Sequence, residues 1–381
     1  MNQKQSWNII VLFLVLIFGF SAASALKPQR SFSEKENRSL SMRPGISLQS
    51  VLSGEFEQDY EDYLKDQFLW RDQWIALRTR AEKASLKQEV HDVYFAKDHY
   101  LIEKHTGVFD TETAQANAEL LGTFMWQISE QYGNRHVTAV IVPNAVSVLT
   151  DKLPRLASPY PEQLYLRKIR DAVPDECWID AQSVLSAHQD KEIFYKTDHH
   201  WTTLGAFYVF QEWASSRGFG EVRQDTYSAT TVTEDFEGTV AAKVGIKVRP
   251  DRIVRYNKVN ESGCTLVYNQ SDDVRSTLYQ DTKLDTRNKY DYFLGGNYGL
   301  IEITNRSNIL TRKRVLIIKD SYAHCFAPFV IQYADEVDLL DLRYYNESVK
   351  ALLESKDYTD ILFLYNAAGF AEDPSLSKLM M

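Results

Sequence analysis

Hydrophobic and polar positions divide the chain into three stretches. Residues 1–26 hold one charge, Lys4, and an apolar run from Ile9 to Phe20 that ends in Ser21-Ala22-Ala23-Ser24-Ala25. An apolar stretch of about 7–15 residues before an Ala-x-Ala site fits a cleaved signal peptide, while Trp7 to Leu26 is close to the roughly 20 residues that span a bilayer. The pattern marks export and leaves a cleaved signal and a retained anchor both open. From Lys27 to about Pro44 the chain is polar and reads as a linker. Leu52, Phe56, Tyr60, Leu64 and Phe68 then recur at helical spacing opposite Glu55, Glu57, Asp59, Glu61 and Asp62, and Trp74 and Leu77 continue the apolar face. This predicts one or two amphipathic helices over residues 48–90, either a layer on the main domain or a docking surface for a membrane partner.

Beyond residue 92 the period shortens to apolar runs that end in polar or turn residues: 137–142, 177–179, 315–318, 337–340 and 361–364. Runs apolar on both faces fit parallel strands covered by helices on each side. Residues 92–381 are therefore expected to form a doubly wound α/β sheet. Between about Glu221 and Asn305 the chain is rich in Thr, Val, Tyr, Asn and Gly without a helical period, which predicts an antiparallel insertion ending in Tyr292-Phe293-Leu294-Gly295-Gly296-Asn297-Tyr298-Gly299.

Composition narrows the function classes. At 381 residues and 13% aromatic the chain is globular, with enough length for two units or for one large domain with additions. A net charge of −9 without a long basic block argues against nucleic acid as partner, because phosphate binding needs clustered positive charge. Cys177, Cys264 and Cys325 lack the paired spacing of a zinc or redox site and allow at most one disulfide. The five Asn-x-Ser sequons, such as Asn260-Glu261-Ser262, matter only where exported proteins are glycosylated.

Chemistry concentrates just past the strand ends, where ligands collect in open parallel sheets. After Ile318 comes Lys319-Asp320-Ser321-Tyr322-Ala323. A serine at a strand-to-helix turn exposes its hydroxyl beside unpaired N–H groups that stabilise an oxyanion, although Asp-Ser at a turn also serves as a simple helix cap. The second segment is Thr197-Asp198-His199-His200-Trp201-Thr202. In an extended stretch Asp198 and His200 project to one side and His199 to the other, so one carboxylate can orient one imidazole. A nucleophilic serine needs such a base. The alternatives are an aspartate cap with a partly buried histidine, or a metal site from Asp198, His199, His200 and His324, which is disfavoured because adjacent histidines rarely face one ion. Asn297 and Asn366 follow apolar runs as oxyanion donors or as turn residues. Arg343 reads as a partner for a carboxylated sugar or for Asp341, Tyr365 as a sugar contact or a core residue, and Trp201 as packing behind His200.

Asp198-His199-His200-Trp201 resembles the signature of the bacterial DHHW protein family, and Thr197-Asp198-x-His200-Trp201-Thr202 is similar to a motif of the periplasmic alginate O-acetylation proteins, which belong to the SGNH-hydrolase-like group. The resemblance extends through Glu36-Asn37-Arg38-Ser39-Leu40, Asp66-Gln67-Phe68 with Arg71, the Gly-Gly-Asn segment and Lys319-Asp320-Ser321-Tyr322-Ala323. It implies a permuted SGNH-hydrolase-like parallel sheet flanked by helices. It also implies a triad in which Ser321 attacks an acyl donor, His200 is base and then acid, and Asp198 orients His200. The Asp-x-His preceding the serine is the permuted order of the alginate proteins, and triads are defined by geometry and not by order. His199 stands where those proteins commonly have a small polar residue, and no appended carbohydrate-binding module is visible, which points away from alginate itself.

The expected function is an extracytoplasmic O-acyltransferase, O-acetyl by resemblance, that modifies a cell-envelope or secreted polysaccharide. By the same resemblance, acyl groups are expected to arrive through a membrane-bound O-acyltransferase partner, and that chemistry requires no dissociable cofactor or metal. An esterase with the same triad, or a non-catalytic polysaccharide-binding or assembly protein on a degenerate fold, are the rival readings. Ser321 and His200 held too far apart to touch would favour the last.

Overall fold

The computed structural model describes residues 3–33, 38–258, 263–306 and 311–380. Glu36, Asn37 and the sequon Asn260-Glu261-Ser262 lie outside the described residues. The chain divides into two compact units, Met1–Val90 with Ala242–Lys247, and His91–Ala241 with Val248–Met381.

In the first unit the N-terminal apolar run is one helix, Gln3–Leu26, long and apolar enough over Ser6–Ser24 to cross a membrane. The amphipathic stretch forms three helices, Leu48–Ser53, Glu55–Gln67 and Arg71–Ala84. Their breaks are local: Ser47 closes a capping box with Ser50, and Gly54 ends the first helix at φ 80°, a left-handed conformation that costs glycine little. Trp70, at φ 55°, turns the chain between the second and third. Asp66 and Gln67 are buried there. Gln67 accepts from the Arg30 N–H and donates to the carbonyls of Arg30 and Ser41, and Asp66 accepts from the Ser41 N–H.

In the second unit seven strands form one sheet: β1 (Val137–Val142), β2 (Cys264–Tyr268), β3 (Val274–Arg275), β4 (Leu300–Asn305), β5 (Arg314–Lys319), β6 (Glu336–Leu340) and β7 (Asp360–Asn366), in the order β3-β2-β4-β6-β5-β7-β1. Strands β6, β5, β7 and β1 are parallel, with Ile318 opposite Leu340 on one side and Phe363 on the other. Strand β4 adds antiparallel to β6, and β2 and β3 follow antiparallel. The β-rich segment 221–305 thus divides. Its first part is a separate hairpin, Tyr227–Phe236 against Asp251–Lys258, and its last part completes the main sheet. Residues 177–179 make only one bridge, Trp178 to Ala139, because the Asp175–Cys177 turn precedes them and a helix capped by Asp180 follows at once.

Alternate strand residues feed two cores. Val315, Ile317, Leu362 and Leu364 pack with Phe207, Phe210 and Trp213 of the helix Thr203–Ser216, while Leu316, Ile318, Ile361 and Phe363 pack with Leu121, Phe124 and Met125 of Glu112–Tyr132. Helices on both faces explain why these strands read as continuous apolar runs. All three cysteines are buried. Leu316 is fully enclosed, so Leu316→Ala should cost about 3 kcal/mol in urea denaturation, against within about 0.5 kcal/mol for Val274→Ala on the exposed edge.

Candidate active site

Two chain segments meet at the carboxyl ends of β5 and β7. The first is a tight loop. Phe194 bridges to Trp201, the Tyr195 N–H donates to the His200 carbonyl and the Thr202 N–H to the Ile193 carbonyl, so residues 195–200 close on themselves before Thr202 caps the next helix. A Cβ on Gly205 would stand 2.4 Å from the Ile193 carbonyl oxygen, which requires glycine in that first helical turn. The loop is anchored from behind by Asp251, which accepts from the N–H groups of Lys196 and Thr197 and from the Thr197 hydroxyl at 2.6 Å.

The second segment is the turn after β5. Asp320 is buried; one of its carboxylate oxygens caps the Tyr322 N–H at 2.9 Å and the other accepts from the Asn366 N–H at 2.8 Å. The carboxylate therefore ties the end of β5 to the end of β7 and fixes Ser321 between them. Trp201 Nε1 donates to the Tyr322 carbonyl at 2.9 Å, and the Tyr322 hydroxyl donates to the His199 carbonyl. These two bonds join loop to turn.

At the junction His200 is bonded at both ring nitrogens, Nδ1 to Asp198 Oδ1 at 2.6 Å and Nε2 to Ser321 Oγ at 2.8 Å. The other Asp198 oxygen accepts from the Thr239 N–H at 2.9 Å and from its hydroxyl at 3.2 Å. Gly238 lies against this carboxylate, where a Cβ would come within 2.2 Å of Asp198 Cβ. The Tyr290 ring stacks on His200 with centroids 3.9 Å apart and planes 16° apart, and its hydroxyl donates to the Ser321 carbonyl at 3.3 Å. Burial acts to raise the Asp198 carboxyl, but His199 and His200 beside it and the hydrogen bonds from His200 and Thr239 hold it well below the usual range. Burial, first, and the neighbouring His199 push the His200 imidazole down to about 4, against the pull of Asp198. His200 is thus a neutral base at pH 7, with its tautomer set by the carboxylate.

The remaining sequence candidates fall elsewhere. His199 does not point away: the loop is bent and not extended, so its ring lies 3.9 Å from that of His200 and its Nδ1 bonds to Thr239 Oγ1 at 2.7 Å. Asp198, His199 and His200 offer ligand atoms within 4.8 Å of one another, but both His200 nitrogens are already bonded to Asp198 and Ser321. His324 belongs to a separate buried group, with Nε2 3.0 Å from Lys319 Nζ, which also bonds Asp341 at 3.1 Å. Arg343 takes the structural alternative and grips Asp341 with two bonds of 2.8 and 2.7 Å. The Asn366 side chain is a helix cap, accepting from Ala368 and Gly369 N–H groups and donating to the Val142 carbonyl, which commits it away from an oxyanion. Tyr365 is fully buried, stacked on Phe363 with centroids 4.7 Å apart, and so lines no sugar site. Asn297 stands exposed in the loop before β4. Tyr290, Thr239 and Gly238 were not anticipated, since each reaches the site from the 221–305 segment without a motif of its own.

The His200 environment gives a pH test. An unfolded histidine titrates near 6.5, so between that pH and about 4 this imidazole binds more protons in the unfolded chain than in the folded one. His200 therefore removes stability as the pH falls from 6.5 towards 4 and contributes no further change below. NMR of ring-labelled histidine should place the His200 midpoint near 4 in the folded chain; a midpoint near 6.5 contradicts this environment.

The profile of the DHHW protein family matches residues 123–340, more than half of the chain and inclusive of Asp198, His200 and Ser321. A crystal structure of a DHHW family protein from Eubacterium siraeum is similar at a TM-score of 0.64 and 20% identity, covering 77% of this chain and 96% of that one. Bacillus cereus PatB1 with a sulfonyl adduct is similar at a TM-score of 0.60 and 20% identity, covering 74% and 97%. The O-acetyltransferase domain of Pseudomonas putida AlgJ aligns at a TM-score of 0.45 and 14% identity, covering 75% and 98%. No curated protein sequence matches. The first two similarities establish a shared α/β fold, and the match across residues 123–340 makes the chain a member of the DHHW protein family.

Proposed function

We propose that the protein is an extracytoplasmic O-acyltransferase that acetylates hydroxyls of a cell-envelope or secreted polysaccharide through an acyl-Ser321 intermediate. The observation that carries this reading is the continuous hydrogen-bonded chain Asp198–His200–Ser321, with links of 2.6 and 2.8 Å. A degenerate binding fold has no need to keep a serine on a neutral, carboxylate-oriented imidazole. A sulfonyl adduct is carried by PatB1 of Bacillus cereus, whose fold is similar, and in this chain Ser321 is the group placed to accept such an electrophile.

In the reaction, Ser321 Oγ attacks the donor carbonyl while its proton passes to His200 Nε2. The resulting imidazolium is stabilised by Asp198, which stays ionised because its own carboxyl is held far below neutral range. The Ser321 N–H, first in the turn capped by Asp320, is the donor assigned to the oxyanion. Collapse returns the proton from His200 to the leaving group and leaves acetyl on Ser321. A sugar hydroxyl then gives its proton to His200 and attacks the ester, and His200 passes that proton to the departing Ser321 Oγ, which restores the serine hydroxyl and the neutral imidazole. Water in place of the sugar would make the same site an esterase.

Transfer from an activated aryl acetate to a panel of oligosaccharides, scored against release of free acetate, tests the assignment. Transfer exceeding hydrolysis supports a transferase; acetate release that no sugar suppresses assigns an esterase. Ser321→Ala and His200→Ala should each lower kcat by roughly 10⁴-fold or more, and Asp198→Asn by about 10⁴-fold, with circular dichroism unchanged. His199→Ala should be milder. Equal, complete losses for His199→Ala and His200→Ala in folded protein would point to a different base.

A further inference from the structure

Asp66, Gln67, Phe68 and Arg71, singled out in the sequence, take no part in the chemistry above. They lie at the turn between the helices Glu55–Gln67 and Arg71–Ala84, in the same compact unit as the N-terminal apolar helix. That helix ends at Leu26, and Arg30, four residues on, is bonded to the Gln67 side chain through both its N–H, at 3.0 Å, and its carbonyl, at 2.8 Å. Four residues reach at most about 14 Å when fully extended. The turn is therefore held beside the end of the apolar span whatever the tilt of that helix. Direct contact agrees: the Phe20 ring, inside the span Ser6–Ser24, lies 6.3 Å from Phe68, 5.9 Å from Trp70 and 6.2 Å from Trp74 between centroids.

Phe68, Trp70 and Trp74 are nevertheless 42%, 57% and 44% exposed. Large aromatic side chains held at the end of an apolar span match the Trp and Tyr belt that sits at headgroup level in membrane proteins. Depth is limited by charge, because Glu55, Glu57, Asp59, Glu61 and Asp62 on the adjoining helix cannot enter hydrocarbon without great cost. We propose that the N-terminal helix is retained as an anchor and that Phe68, Trp70 and Trp74 form a second, interfacial contact seated among the headgroups of the leaflet from which the chain emerges. Asp66 and Gln67 act as the clasp. They bind the backbone of Arg30 and Ser41, so that the length of free chain between anchor and turn stays short.

The test is spin-label depth in the full chain, reconstituted in phosphatidylethanolamine–phosphatidylglycerol vesicles, using Trp70→Cys and, separately, Trp74→Cys. The three native thiols are buried, so labelling is directed to the new ones. Both labels should show the same ratio of oxygen to water-soluble nickel-chelate accessibility as a headgroup-labelled lipid in the same vesicles. Labels at both sites with the nickel-chelate accessibility of a fully water-exposed surface site, unchanged when the vesicles are present, overturn the contact. So does a label shielded from both reagents, which marks a covering protein in place of lipid. Intact mass of the chain isolated from its native membranes should include residues 1–26, and their loss overturns retention of the anchor.

Discussion

The His200 imidazole is held between Asp198, two residues away in sequence, and Ser321, 121 residues away, and the structure around it serves to keep those distances at 2.6 and 2.8 Å. The short link needs only a closed loop, which Asp251 braces from behind through the backbone of Lys196 and Thr197. The long link needs two independent elements brought into register. The parallel pairing of β5 with β7 supplies one part, since Asp320 at the end of β5 is clamped by the Asn366 N–H at the end of β7. The Trp201–Tyr322 and Tyr322–His199 bonds supply the other, fastening the loop across the turn. Loss of either would leave the imidazole correctly oriented by Asp198 but without a serine to act on.

Electrostatics at the site follow from burial. Asp320, Lys319 and Asp341 are nearly or fully enclosed, as is His324, and buried charges persist in a protein interior only when paired or hydrogen-bonded. Lys319 and Arg343 both bond Asp341, and the contact of Lys319 Nζ with His324 Nε2 requires that imidazole to be neutral. Burial and Lys319 both drive His324 in that direction. Ser321 thus sits on a turn beside a buried, hydrogen-bonded group of Lys319, Asp341, Arg343 and a neutral His324.

The central strands and the two segments that meet at the candidate site were legible because each depends on local sequence. Val137–Val142 and the runs in β5, β6 and β7 are apolar on both faces, as strands between two helical layers must be, while Asp198 and His200 stand in a tight loop and Ser321 at a strand end. What could not be read depends on pairing across the chain. In β4 the buried Ile301 and Ile303 alternate with less buried Glu302 and Thr304, a pattern that announces a strand without saying which sheet it joins. Tyr290, Thr239 and Gly238 contribute one ring, one hydroxyl and one missing side chain to the site, and none of these has a local signature. Arg343, Asn366 and Tyr365 show the converse: residues placed past strand ends, as functional groups often are, but absorbed by an adjacent carboxylate, a helix terminus and the core.

A covalent acyl-serine on this triad is the claim from which the other functional statements descend. Rapid-quench intact-mass spectrometry of the chain after exposure to an activated acetyl ester, with peptide mapping and Ser321→Ala alongside, measures it most directly. The account predicts one acetyl group on the wild type, mapped to Ser321 and absent from the variant. An acetyl group that persists in Ser321→Ala, or turnover of the ester with no adduct at any quench time, would contradict it.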